Sequence, residues 1–313
     1  MSPTPSQEDL SKDLGLGSRL SQQSRLRFLN QDGSFNAKRK GLPFFQTLNL
    51  YHFMLSISWM AFNGIVAAFY FLTNILFAFG YVLCGPGALQ GSTAMTFGDR
   101  FLEAFFFSVQ TLATIGYGTM SPHGLAANIL VTLEALVGLM GFALATGLLF
   151  SRFSRPSAKI IFSKNAVIAP YKDITGFMFR IANERTNELI EVGATVVLSR
   201  NETIDSKPVR KFYPLTLERP SVMFMPLHWV IVHPINALSP LYGVTKESFD
   251  ASDAEILILL VGTDETFSQA VHARSSYKNH EVVWDAKFSD MFLPSGNVEM
   301  SIDLKKIHDI EKM

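Results

Sequence analysis

Apolar positions along the chain fall into two long runs with a short one between them. Met54 to about Phe79 is rich in Phe, Ile, Leu, Val and Ala and carries no charge. A helix needs about 20 apolar residues to cross a bilayer, so this run predicts a spanning helix. A second spanning helix is predicted over about Leu125–Phe153. Asn63, Gly64 and Asn74 in the first run, and Gly138, Gly141 and Gly147 in the second, are residue types that face neighbouring helices. Between the runs, Cys84-Gly85-Pro86-Gly87 signals a turn. Asp99–Leu112 then reads as a short apolar helix opening on an acid. It is too short to cross, and it leads directly into Thr114-Ile115-Gly116-Tyr117-Gly118 and Ser121-Pro122. Irregular backbone is tolerated at membrane depth only where protein or a water-filled path surrounds it. The pattern therefore predicts a re-entrant helix followed by an extended segment.

From Ser157 onward the period shortens to that of strands. Phe177–Ile181, Ala194–Ser199, His228–Val232, Ile256–Val261, Val271–Arg274 and Val282–Trp284 are β-rich and separated by turn residues. An all-β sandwich is expected there. Pro43–His52 is short and amphipathic, as a helix lying in a membrane interface would be. Residues 1–42 are polar, show no signal-peptide pattern, and are expected to begin disordered. The expected organisation is thus a polar segment 1–42, an interfacial helix 43–52, a membrane domain 53–156 and a β domain 157–313.

Charge sharpens this division. The chain balances 27 Lys and Arg against 27 Asp and Glu, which gives no bias toward nucleic acid. Residues 54–150 hold only Asp99, Arg100, Glu103 and Glu134. Arg19, Arg25, Arg27, Lys38, Arg39 and Lys40 precede the first span, and Arg152, Arg155, Lys159 and Lys164 follow the second. The connecting loop has only Arg100, so both termini are expected on the cytoplasmic side. Cys84 is the sole cysteine, so no intrachain disulfide can form. His228, His233, His272, His280 and His308 show no metal-ligand spacing, and no nucleophile elbow, phosphate loop or dinucleotide fingerprint occurs. An enzyme is not expected.

The extended segment has a chemistry of its own. A dehydrated cation needs replacement oxygens, and several inward-pointing carbonyls can supply them. Glycine at alternate positions permits the required dihedral angles. Thr114, Ile115, Gly116 and Tyr117 would offer carbonyls to K+, and the Thr114 hydroxyl would add the innermost ring. The Ile115 and Tyr117 side chains would point away and brace the segment against the short helix.

At these residues the chain resembles the inwardly rectifying potassium channels, particularly their bacterial members. Arg27-Phe28-Leu29-Asn30-Gln31-Asp32-Gly33 is similar to the family's N-terminal segment, and Ala104–Thr111 to its pore helix. Phe162–Ala169, Ser239-Pro240-Leu241-Tyr242, Ala273–Tyr277 and Glu281–Trp284 resemble motifs of its cytoplasmic domain. The resemblance implies a homotetramer: a helical pore with two spans, pore helix and filter, joined to an immunoglobulin-like cytoplasmic sandwich. It also implies K+ in the filter with no organic cofactor, residence in the bacterial inner membrane, and anionic lipids with polyamine or Mg2+ blockers as partners.

The departures from the family carry information. The extracellular cysteine pair of animal members is missing. Gln110 and Met120 stand where many members pair a Glu with an Arg beside the filter. Phe142 stands where strong rectifiers have an acid, so weak rectification is expected. A gate is expected at Phe150, with Thr146 next along the same stripe. Lipid is expected at Arg152, Arg155, Lys159 and His52, although positive charge there also serves topology alone. Glu191 and the loop Phe267-Ser268-Gln269 are expected to line a cytoplasmic pore, the alternative for Glu191 being a solvated surface. Glu134 reads either as a cavity residue near the filter that attracts cations or hydrogen-bonds behind it, or as a neutral, protonated or paired structural acid. The competing function is a membrane-anchored binding or signalling module, which would leave the re-entrant glycines without a task.

Overall fold

A computed structural model describes residues 27–36, 49–154, 159–185, 187–204, 206–225, 227–293 and 301–313. The chain divides into a membrane unit, residues 40–155, and a second unit built from residues 1–39 and 156–313. The expected disorder at the start of the chain falls outside the described residues.

The membrane unit is helical. A short helix α1 (Leu50–Ser56) is followed after an extended break at Ile57 by α2 (Trp59–Leu83). The apolar run alone starts the span at Met54. Ser58 ends that continuity because its side chain caps the new helix, accepting from Ala61 N–H at 3.2 Å. The interfacial helix expected over 43–52 is helical from Leu50, and 43–48 lie outside the described residues. A two-residue strand β1 (Leu89–Gln90) precedes α3 (Phe97–Leu112). Thr96 and Asp99 form a reciprocal capping box that fixes where α3 begins. Strand β2 (Ser121–Pro122) pairs antiparallel with β1, and α4 (Gly124–Phe153) follows. At 25 and 30 residues, α2 and α4 are each long and apolar enough to cross a membrane.

Arg152, near the end of α4, holds the break between α1 and α2. Its Nη1 donates to the Met54 carbonyl and its Nη2 to the Ile57 carbonyl at 2.8 Å. The guanidinium also stacks 4.6 Å from the Trp59 ring and 4.7 Å from the Phe62 ring. Carbonyls at the end of α1 have no helical partner of their own, and a cation there also complements the helix dipole.

The second unit is a sandwich of two sheets. Its strands are β3 (Ile160–Phe162), β4 (Ala166–Tyr171), β5 (Ile174–Asn183), β6 (Leu189–Ile204), β7 (Lys207–Pro214), β8 (Ser221–Phe224), β9 (His228–Ile235), β10 (Glu255–Asp264), β11 (Gln269–Lys278) and β12 (Val282–Trp284). One sheet runs β11-β10-β6-β7 with β8 also on β6, and the other runs β12-β4-β5-β3 with β9 also on β5. Alternate residues of both sheets meet in the core, including Phe177, Phe179 and Ile181 from β5, Val196 and Leu198 from β6, and Ile256, Ile258 and Leu260 from β10. A small helix α5 (Lys246–Ala251) and a two-stranded antiparallel sheet of β13 (Ala286–Phe288) with β14 (Ile310–Lys312) also belong to the unit.

Residues 27–36 fold onto this sandwich. Phe28 and Leu29 are buried, and their backbone N–H groups donate to the carboxylate of Glu255 at 3.1 and 3.2 Å. Glu255 is itself wholly buried, with Lys278 Nζ at 3.7 Å and Arg210 Nη2 at 3.9 Å. Arg27 adds an ion pair to Glu281 at 2.8 Å. The Phe28 ring lies 4.8 Å under the Arg210 guanidinium.

These two anchors yield tests. Glu255→Ala leaves buried cations short of a counter-charge, so stability should fall by about 3–5 kcal/mol in denaturant unfolding. An unchanged midpoint would show that the carboxylate is not holding the segment. Arg152→Ala and Arg152→Lys should both speed amide exchange across Leu50–Ser56, since an ammonium cannot bond two carbonyls and stack on two rings together. Lys behaving as wild type would contradict the stapling role.

Candidate functional site

The segment after α3 departs from every regular structure. Thr114, Gly116 and Gly118 have φ of 59°, 57° and 80°. Only these alternate residues of the segment take positive φ. A strand turns successive carbonyls to opposite sides. Inverting the handedness at every second residue cancels that alternation and turns the carbonyls to one side. Glycine adopts such angles freely. For β-branched Thr114 they cost about 1–2 kcal/mol, so the surroundings must hold it.

The hold comes from the end of α3. Thr114 N–H donates to Thr111 O at 3.0 Å, Ile115 N–H to Gln110 O at 2.7 Å, and Gly116 N–H to Gln110 O at 3.3 Å. The N–H groups are thus tied back to a helix terminus whose carbonyls would otherwise lack partners. Among the described residues, the carbonyl oxygens of Thr114, Ile115, Gly116 and Tyr117 accept no hydrogen bond. The first three N–H groups of the segment are satisfied, and its carbonyls present bare acceptors.

Close packing fixes the ends. A Cβ on Gly138 of α4 would lie 2.6 Å from Leu112 O, so this glycine lets the second span pass directly against the end of α3. A Cβ on Gly91 would lie 2.4 Å from Thr119 O, which makes glycine necessary beside the exit of the segment. Gly141 packs near Phe69, whereas nothing crowds Gly147.

Several sequence expectations change here. Ile115 and Tyr117 are exposed in the single chain, Tyr117 by 72%. Bracing of Tyr117 by its own pore helix is therefore absent. Glu134 does not line a cavity: it is wholly buried between α2, α3 and α4. Tyr81 O–H donates to its Oε2 at 2.6 Å, and Ser108 Oγ contacts its Oε1. Arg152, expected at lipid, is half-buried, with both terminal nitrogens bonded to backbone carbonyls and Nε buried.

Phe142, Thr146 and Phe150 share an exposed stripe of α4, with Phe142 75% and Phe150 72% exposed. His52 is exposed on α1, its backbone N–H bonded to the capping Asn49 side chain at 3.0 Å. Lys159 makes a surface ion pair with Glu184 at 3.7 Å. Arg155 lies outside the described residues.

In the sandwich, Glu191 is exposed at φ 51°, in a bulge of β6 where the pairing with β10 shifts register. Phe267 and Ser268 form the turn between β10 and β11, and Gln269 opens β11 opposite Asp264. Asp264 also pairs with Leu189, so the turn and Glu191 share one end of one sheet.

Sequence reasoning missed Tyr81 and Ser108 as partners of Glu134, and Arg152 as a helix staple. Neither has a local spacing signal, since each partner comes from a different helix. The Thr96–Asp99 capping box was available as a Thr-x-x-Asp pattern before an apolar run.

Comparisons with known proteins agree with this geometry. The profile of the inward rectifier potassium channel C-terminal domain matches residues 160–313, and that of an ion channel domain matches residues 47–155. The inward rectifier potassium channel Kirbac3.1 of Paramagnetospirillum magnetotacticum is 42% identical over 91% of this chain and 95% of its own length. The G protein-activated inward rectifier potassium channel 3 of Mus musculus is 28% identical over 91% of this chain and 77% of its own length. Inward rectifier potassium channel 4 of Rattus norvegicus is 29% identical over 72% of this chain and 54% of its own length. The two-span unit with its half-span, the two-sheet unit and a 42% identical relative spanning both lead to one assignment: this membrane protein, which is not an enzyme, belongs to the inward rectifier potassium channel family, on its bacterial side.

Proposed function

We propose that the protein is a homotetrameric K+-selective channel of the bacterial inner membrane, with both termini cytoplasmic. The observation that carries this is the run of unpaired carbonyls on Thr114, Ile115, Gly116 and Tyr117, held by alternating backbone handedness. Four copies around an axis would give successive rings of oxygens that replace the hydration shell of K+. The Thr114 hydroxyl would close the inner end. Ile115 and Tyr117, exposed in the single chain, would find their packing on neighbouring subunits.

The exposed stripe of α4 would line the path inward. Phe150, with Thr146 beside it, would form a gate that closes by excluding water. Phe142 would face the cavity in place of the acid that binds internal blockers, so polyamines and Mg2+ would block weakly. Further along, a ring of Glu191 would concentrate cations beside a constriction formed by Phe267, Ser268 and Gln269. Anionic lipid would act through His52, Lys159 and Arg155.

Flux into vesicles tests the filter. Gly116→Ala places a side chain at φ 57° and disfavours the alternating handedness that turns the carbonyls to one side. K+ flux should fall at least about tenfold, a barrier increase of ~1.4 kcal/mol, while the oligomer survives. Normal flux would contradict the assignment, and equal Na+ and K+ flux in the unaltered protein would refute selectivity. For the cavity, Phe142→Asp should strengthen block by internal polyamines. Unchanged voltage dependence would show that position 142 faces elsewhere.

A further inference from the structure

Three helices meet at Glu134, and the hydrogen count there does not balance for an ionised acid. Asn74 of α2 donates through Nδ2 to the Tyr70 carbonyl at 2.8 Å. A carbonyl only accepts, so this bond orients the amide and leaves Oδ1 toward Ser108 of α3. Ser108 Oγ lies 3.0 Å from Asn74 Oδ1 and also against Glu134 Oε1. The hydroxyl owns one hydrogen. Were Glu134 a carboxylate, both neighbours would be pure acceptors. One contact would then set lone pair against lone pair in a site from which water is excluded.

A carboxylic acid removes the conflict. Glu134 Oε1–H donates to Ser108 Oγ, Ser108 Oγ–H donates to Asn74 Oδ1, and Tyr81 O–H donates to Glu134 Oε2. Each hydrogen then has one acceptor, and each helix is joined to the other two. No cation offsets a charge here: among the described residues no Lys, Arg or His forms an ion pair with Glu134. Tyr81 itself, with Arg100 and Glu103 of α3, lines a small cavity, and Cys84 lies just beyond the end of α2.

We infer that Glu134 is kept as a neutral carboxylic acid, and that it is a positioning residue which sets the pore helix against both spans. Ser108 lies on the helix whose last turn holds Thr114, Ile115 and Gly116, so a shift of that helix moves the carbonyl run directly. The inference rests on the conduction reading only for its effect on selectivity.

Gln at this position preserves the bonding pattern, one Nε2–H replacing the acid O–H and its Oε1 accepting from Tyr81, at the cost of one added N–H. Infrared spectra of the full-length protein in lipid vesicles should show a protonated-carboxyl C=O band at neutral pH that Glu134→Gln removes. Thermal midpoint and K+/Na+ flux ratio should be retained in Glu134→Gln. Glu134→Ala should lower the midpoint and cut the flux ratio by about tenfold, equivalent to ~1.4 kcal/mol. Absence of a band difference, or equal damage from Gln and Ala, overturns the inference. Should the protein not conduct, the infrared and melting results still decide the protonation state, so failure of the channel reading would be recognisable by itself.

Discussion

A polypeptide at membrane depth must satisfy its own polar groups, and this chain leaves one short run of carbonyls deliberately outside that rule. The N–H groups of Thr114, Ile115 and Gly116 are returned to the last turn of α3, while the carbonyls from Thr114 to Tyr117 have no partner among the described residues. These residues are exposed in the single chain, and acceptors without donors become costly once protein or lipid excludes water. In the proposed tetramer a cation shorn of water would be the complementary defect, and each would compensate the other.

The rest of the membrane unit holds that unfavourable backbone in place. The capping box fixes the start of α3, Gly138 admits α4 to its end, and Gly91 lets the β1–β2 ladder close beside the exit. The buried chain through Tyr81, Glu134, Ser108 and Asn74 ties α3 to both spans. Such networks specify a unique packing when every member is satisfied. The single chain still exposes Tyr117, Phe142 and Phe150, large apolar or aromatic groups along the face that a symmetric assembly would enclose.

Much of this was legible in the residues because it depends on periodicity. The two spans, the half-span and the change to strands are written in the spacing of apolar positions, and each of the six strand segments singled out from the sequence lies within an observed strand. The irregular backbone of residues 114–118 was legible from its glycines, and Gly116 and Gly118 do take positive φ. What escaped was set by tertiary partners. Met54 belongs to the apolar run, yet a Ser58 cap and Arg152 end one helix and start another between them. Glu134 could be read as a cavity charge until its partners from two other helices were seen. Arg27 to Asn36 looked like part of a polar tail, and tertiary partners, the buried Glu255 carboxylate first among them, explain why Phe28 and Leu29 fold onto the sandwich.

Anomalous diffraction from crystals of the full-length protein grown in Rb+ addresses the central claim most directly. Discrete peaks should lie on a fourfold axis, level with the carbonyls of residues 114–117, and should vanish when Na+ replaces Rb+. Peaks absent from that line, or residues 114–118 standing away from any symmetry axis, would contradict it.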